Sequence, residues 1–178
     1  MWLRTLGARF DAVALRPFAW PAPDAGDWPA LRTWCLAEPS LQLAVAHSLP
    51  SELKAARATA LALQLDGSHA LHARSGTAQR VVLRLRVKLQ DIRLGHDVQA
   101  DDIWDSGWVP DEPLAWAALE RFRPRRPTFI VLNGLPLEAV QRSLAQMQRA
   151  SVSYRKPVRV LVLGKLPDLE QAPSRIAD

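Results

Sequence analysis

The chain has 178 residues, 48% of them apolar and 23% charged, a composition that suits one soluble globular domain. Its net charge of +5 is unevenly placed, and its only cysteine, Cys35, rules out an intramolecular disulfide and a cysteine-based zinc site. No run approaches the length of a membrane-spanning helix, and Met1–Pro17 lacks the apolar core of a secretory signal, so a cytoplasmic location is expected.

Residues 17–29 are rich in Pro and Trp and read as an extended surface segment. A short helix is expected next. Asp27 is a suitable cap, Pro29 is tolerated in the first turn, Leu31, Trp34 and Cys35 share a face, and Glu38-Pro39 ends it. Leu41, Leu43 and Val45 alternate with Gln42 and Ala44, the pattern of a strand. Ser51 can cap a short helix through Lys54 and Arg57. Beyond it, the alternation of Leu61, Leu63 and Leu65 before Asp66-Gly67 favours a hairpin returning through Ser68–Arg74. A longer helix from Ser51 to Leu63 is the competing reading. Arg80–Gln90 is the clearest strand pattern, with Val81, Leu83, Leu85, Val87 and Leu89 on one face and Arg80, Arg84, Arg86 and Lys88 on the other. One apolar and one charged face is the habit of antiparallel sheets.

Residues 97–112 hold six acids and no base, and Asp111 is placed to cap a helix from Pro113 to Phe122 with Leu114, Ala118 and Phe122 inward. Within the preceding stretch, Asp91-Ile92, Gly95, Val98 and Asp102-Ile103 resemble the opening of a SAF (antifreeze-like, β-clip) domain; the likeness is confined to residues 91–103, and no function is carried from it.

Residues 121–165 carry ten Arg or Lys against the single acid Glu138, a net +9. Phe129-Ile-Val-Leu132 is a continuous apolar run, as in a strand buried on both faces. Leu137, Val140, Leu144 and Met147 follow at helical spacing, and Val158–Leu163 is a second strand. A βαβ unit is the natural reading. The expected architecture is therefore one compact mixed α/β domain over 1–178. It has a mainly antiparallel part over 1–120, a basic βαβ unit over 121–165 and a tail over 166–178.

Arginine suits phosphate contact, so Arg121, Arg123, Arg125, Arg126, Arg155, Lys156, Arg159 and Lys165 form the candidate anion- or nucleic-acid-binding set. The competing reading is a solvated surface that pairs with the acidic 97–112 stretch. Seven Trp against one Tyr is unusual, and Trp20, Trp28, Trp104 and Trp108, in or near irregular segments, are candidates for docking a protein partner. The carboxyl ends of the βαβ strands bring Asn133, Gly134, Gly164 and Lys165 into one crevice, where an enzyme could hold a small anionic substrate. Yet the sequence lacks both the Gly-x-Gly-x-x-Gly and the phosphate-loop patterns. His96 and the nearby Asp97, Asp101, Asp102 and Asp105 do not match a calcium loop. His69 and His72 fall on opposite faces of the expected strand. No catalytic residue, metal or cofactor is assigned. The expected role is a non-catalytic accessory or assembly subunit, within a multi-subunit complex, that meets an acidic partner, nucleic acid or protein.

Overall fold

A computed structural model describes residues 15, 16, 18, 26–37, 42–66, 81, 82, 85, 102–164, 174 and 175. Its elements in chain order are α1 (Pro29–Leu36), β1 (Leu43–Ser48), α2 (Glu52–Leu65), β2 (Asp105–Trp108), α3 (Pro113–Leu119), β3 (Thr128–Asn133), α4 (Leu137–Ser151), β4 (Val158–Leu163) and the two-residue β5 (Ser174–Arg175). The five strands make one sheet in the order β2-β3-β4-β1-β5, and every pairing in it is parallel.

The βαβ unit forms as its sequence dictates. Phe129–Leu132 and all of β4 are buried, and side chains alternate between two cores. Ile130, Leu132, Val158, Val160 and Val162 pack with Ala115 and Leu119 of α3 and Val140, Leu144 and Met147 of α4. Phe129, Val131, Leu161 and Leu163 pack on the opposite face with Leu31 and Cys35 of α1 and Ala58, Leu61 and Ala62 of α2. The sheet thus lies between two helical layers. Full burial of one Val or Leu side chain is worth roughly 1.5–3 kcal/mol, so these two strands anchor the fold.

Among the described residues the expected antiparallel N-terminal strands are not found, the sheet being all parallel. β1 pairs in parallel with β4, from Leu43 opposite Val158 to Ser48 opposite Leu163. The strand was legible, but its partner lies more than a hundred residues downstream and could not be read from local alternation. The first strand of the expected hairpin, over Leu61–Leu65, is helical instead. Glu52–Leu65 is one continuous helix, Ser51 Oγ accepting from Lys54 N at 3.1 Å as its cap. Leu61, Ala62 and Leu63 are all buried, so the leucine alternation reflects a helix covered over much of its circumference, not a strand. The α2 carboxyl end is tied to β2: Ser106 Oγ donates to Ala62 O at 2.9 Å and bonds Asp66 Oδ2 at 3.1 Å, and Trp104 N donates to Leu65 O at 3.1 Å.

Val81, Val82 and Leu85 are helical and exposed, which removes the strand expected over Arg80–Gln90 at these positions. The remainder of that segment, the return strand Ser68–Arg74 and most of the SAF-like stretch lie outside the described residues. Two caps also differ. The residue before α1 is Trp28, not Asp27, and the one before α3 is Glu112, not Asp111; neither makes a side-chain cap, each helix starting instead on a proline. In α3 the inward residues are Ala115 and Leu119, and Leu114 is exposed; Phe122 is buried just beyond the helix. Among the described residues no helix is long and apolar enough to cross a membrane.

The outer edge of β2 is bridged at its last residue. Arg16 and Trp108 exchange both backbone hydrogen bonds, each 2.9 Å, in an antiparallel bridge. Gly107 permits this approach: a Cβ there would lie 3.0 Å from Arg16 O and 3.2 Å from Leu15 Cβ. Gly107→Ala should therefore destabilise the fold by about 1–3 kcal/mol through overpacking, lowering the urea midpoint without changing the slope of the transition.

Candidate functional site

A parallel sheet has two chemically distinct ends, and the described basic candidates between Arg121 and Arg159 collect at one of them. Three backbone bonds fix the segments leading into β2, β3 and β4 at the amino end. Asp105 N donates to Pro127 O, Thr128 N to Pro157 O and Val158 N to Gln42 O, each at 2.9 Å. The prolines fit here because they follow the basic pairs Arg125-Arg126 and Arg155-Lys156 and need donate nothing themselves. Phe122 and Tyr154 meet edge to face, 6.1 Å between ring centres, and join the two connectors beneath the surface.

The eight basic candidates separate by burial. Arg126 and Arg159 are almost wholly buried, and Lys156 is 6% exposed. Arg126 Nη1 lies 3.8 Å from Asp105 Oδ1, with both side chains enclosed. This is one realised pairing between the basic module and the acidic 97–112 stretch. Arg159 is the second residue of the otherwise apolar β4, and its guanidinium donates to Ala37 O at 3.0 Å. It thereby supplies positive charge and a hydrogen bond to the carboxyl end of α1. Arg121, Arg123, Arg125 and Arg155 are exposed, Arg123 folding back to donate to Phe122 O at 2.8 Å and Glu120 O at 3.2 Å. Arg125 and Arg155 stand at matching places, each three residues ahead of the paired Thr128 and Val158. Lys165 lies outside the described residues.

The tryptophans separate too. Trp28 and Trp104 are 3% and 1% exposed and belong to the core shared with α1 and α2. Only Trp108, 39% exposed, presents a described indole surface from the partner-docking set; Trp20 lies outside the described residues. Trp116, not in that set, carries the Arg142 guanidinium 5.1 Å from its ring centre.

At the carboxyl end, Asn133, Leu163 and Ser48 stand side by side in register. Asn133 is exposed, and Gly134 turns the chain there with φ +70°, a conformation that favours glycine. Ser48 and Lys54 join this rim, Lys54 Nζ bonding Ser48 Oγ at 3.0 Å, while Gly164 N donates to Ser48 O at 3.2 Å. Sequence reasoning passed over Ser48 and Lys54 because β1 was not read as the neighbour of β4. The clue was local: a strand ending at Ser48 next to a helix capped by Ser51. Among the described residues no group of three or more His, Cys, Asp or Glu could hold a metal ion. His69, His72, His96, Asp97 and Asp101 lie outside them.

Comparison with protein-family models, curated proteins and solved structures gives no match. The geometry therefore carries the functional argument.

Two outcomes are expected. Asp105→Ala removes a buried carboxylate 3.8 Å from Arg126 and should cost about 3–5 kcal/mol in urea unfolding, whereas adding Arg126→Met should recover much of that stability. Burial raises the Cys35 thiol from 9.0 to about 12, and the nearby Arg159 charge acts in the opposite direction. The folded chain then keeps a proton that the unfolded chain loses, so this stabilisation is complete below about 9 and declines as pH rises towards about 12. The stability gap between wild type and Cys35→Ala should narrow over that window, read from urea midpoints.

Proposed function

We propose that this protein is a non-catalytic binding module that contacts a polyanionic partner, nucleic acid being the partner whose chemistry fits best, through the amino end of its sheet. The observation that carries this reading is the matched pair Arg125 and Arg155, exposed on connectors that lead into neighbouring parallel strands, with Arg121 and Arg123 on the first of those connectors. Backbone bonds to Pro127 and Pro157 hold both connectors, so little ordering cost attaches to using them. Arginine adds a planar fork of donors that matches phosphate oxygens. Arg126 and Lys156 on the connectors and Arg159 in β4 are buried and add to the local positive potential, not to a contact surface.

A second reading, docking of a protein partner, is favoured by one observation. Trp108, Leu114 and Leu137 are exposed around the carboxyl ends of β2 and β3, opposite the arginines.

The deciding measurement is fluorescence anisotropy with generic single- and double-stranded nucleic acid at about 50 and 200 mM salt. Binding should weaken steeply over that range. Replacing Arg121, Arg123, Arg125 and Arg155 together by Ala should reduce affinity and flatten the dependence of log K on log salt by roughly 0.7–0.9 for each phosphate no longer neutralised. Unchanged binding by the fourfold variant would remove the amino end from the account, and absence of binding at either salt would remove the polyanion.

A further inference from the structure

The carboxyl end of β2 and the first turns of α3 and α4 leave apolar side chains open to solvent. Trp108 is 39% exposed, Leu114 of α3 73% and Leu137 of α4 48%. α3 and α4 pack on the same face of the sheet, and each runs back between parallel strands, so both begin at this end. Acids stand beside these apolar groups: Asp111 and Glu112 just before Leu114, and Glu138 just after Leu137, all exposed. Arg16 pairs with Glu112 at 3.5 Å. No ion pair joins Asp111 or Glu138 to another described residue. Such a face, apolar and acidic, is complementary to a segment that is apolar and basic.

The chain brings a segment of that kind to this place. Arg16 lies opposite Trp108 in an antiparallel bridge, and Leu15 shares a core with Val109, the residue after Trp108. The direction from Leu15 to Arg16 therefore opposes β2, and the chain that precedes Leu15 meets the fold at the carboxyl end of β2. The Arg16–Glu112 contact fixes the same point beside the start of α3. Residues 1–14 lie outside the described residues. In their sequence Leu3, Leu6, Phe10 and Val13 recur every three or four positions, the spacing of one apolar stripe on a helix. Arg4 and Arg9 stand against the single acid Asp11.

We propose that residues 1–14 dock on this face of their own chain, the stripe from Leu3 to Val13 set against Trp108, Leu114 and Leu137, and Arg4 and Arg9 drawn to Asp111 and Glu138. A segment tethered at Leu15 is held near the face at an effective concentration on the order of millimolar, so modest contacts suffice. The docking face is at the opposite end of the sheet from the polyanion-binding arginines and does not depend on them. It gives the exposed apolar groups an occupant within the molecule, which an external protein partner would have to displace.

The test is paramagnetic broadening in the full chain. A nitroxide is attached at Thr5→Cys, with Cys35→Ala so that one thiol reacts; because Cys35 is buried, the label can also be placed with Cys35 retained. Spectra with the nitroxide oxidised and then reduced are compared in the same sample. The Trp108 indole NH and the Leu114 and Leu137 methyl signals should lose intensity. Val152, 85% exposed beyond the far end of α4, should keep it. Adding Leu6→Glu with Phe10→Glu should restore the three signals, and Asp111→Lys with Glu138→Lys should restore them in part. Undiminished signals in the labelled chain would overturn the proposal and leave the face to an external partner. Equal loss at Val152 and Leu114, or loss unchanged by Leu6→Glu with Phe10→Glu, would overturn it too. A mixture of labelled chain with unlabelled, isotope-enriched chain should show no broadening; loss of the same signals there would overturn docking within one molecule and make the occupant a second copy. Nucleic-acid binding should be the same with and without Leu6→Glu and Phe10→Glu, so this result stands or falls apart from the polyanion reading.

Discussion

β3 and β4 have protein on both faces along nearly their whole length, so their side chains have almost no access to water. Burial of this kind excludes charge from the strands and directs it into the connectors. Helices must cover both faces, and α1 with α2 on one side and α3 with α4 on the other do so. Parallel pairing then sends every connector to one of two ends. The one charge inside β4, Arg159, persists because the end of α1 gives it a carbonyl partner in Ala37.

From this constraint follows a molecule whose two ends differ in kind. In open parallel sheets small ligands are usually held at the carboxyl end, where the chain leaves the strands. Here that end shows Asn133, a Ser48–Lys54 contact and several exposed apolar side chains, while Arg121, Arg123, Arg125 and Arg155 line the opposite end. The amino end has tight, proline-bearing connectors held by backbone bonds. Such segments present fixed charges well and rearrange poorly, which suits contact with an extended charged surface better than closure around a substrate.

How much of this was legible in the sequence depended on distance along the chain. The βαβ unit could be read because Phe129–Leu132, the Leu137–Met147 spacing and Val158–Leu163 each announce their own structure and pair with their neighbour. β1 was visible as a strand, yet its parallel pairing with β4 was hidden because no local feature encodes a partner so far away. The α2 segment misled for a different reason. A helix buried on much of its surface loses the single apolar stripe that marks amphipathic helices, and its leucines can imitate strand alternation. For the candidate site, the clustering of arginine was plain, but which members reach the surface was not. Arg126 and Arg125 are adjacent in sequence, and only the fold reveals that one is paired beneath the surface with Asp105 while its neighbour faces solvent. Trp28 and Trp104 are buried although they sit outside helices and strands, since irregular backbone does not prevent a large side chain from reaching a core.

The Arg16–Trp108 bridge has a consequence for solubility. A short outer strand with unmatched backbone groups is a template onto which another chain can add, and such addition is how sheets grow into fibrils. By committing its own Arg16 backbone to β2, the chain occupies that template at Trp108, and the reversed direction of the bridge breaks the run of parallel pairing there. Gly107 lets this guard sit close enough to hold. An exposed indole at a sheet margin and an open strand edge both promote aggregation, and at Trp108 the bridge to residue 16 leaves the first without the second.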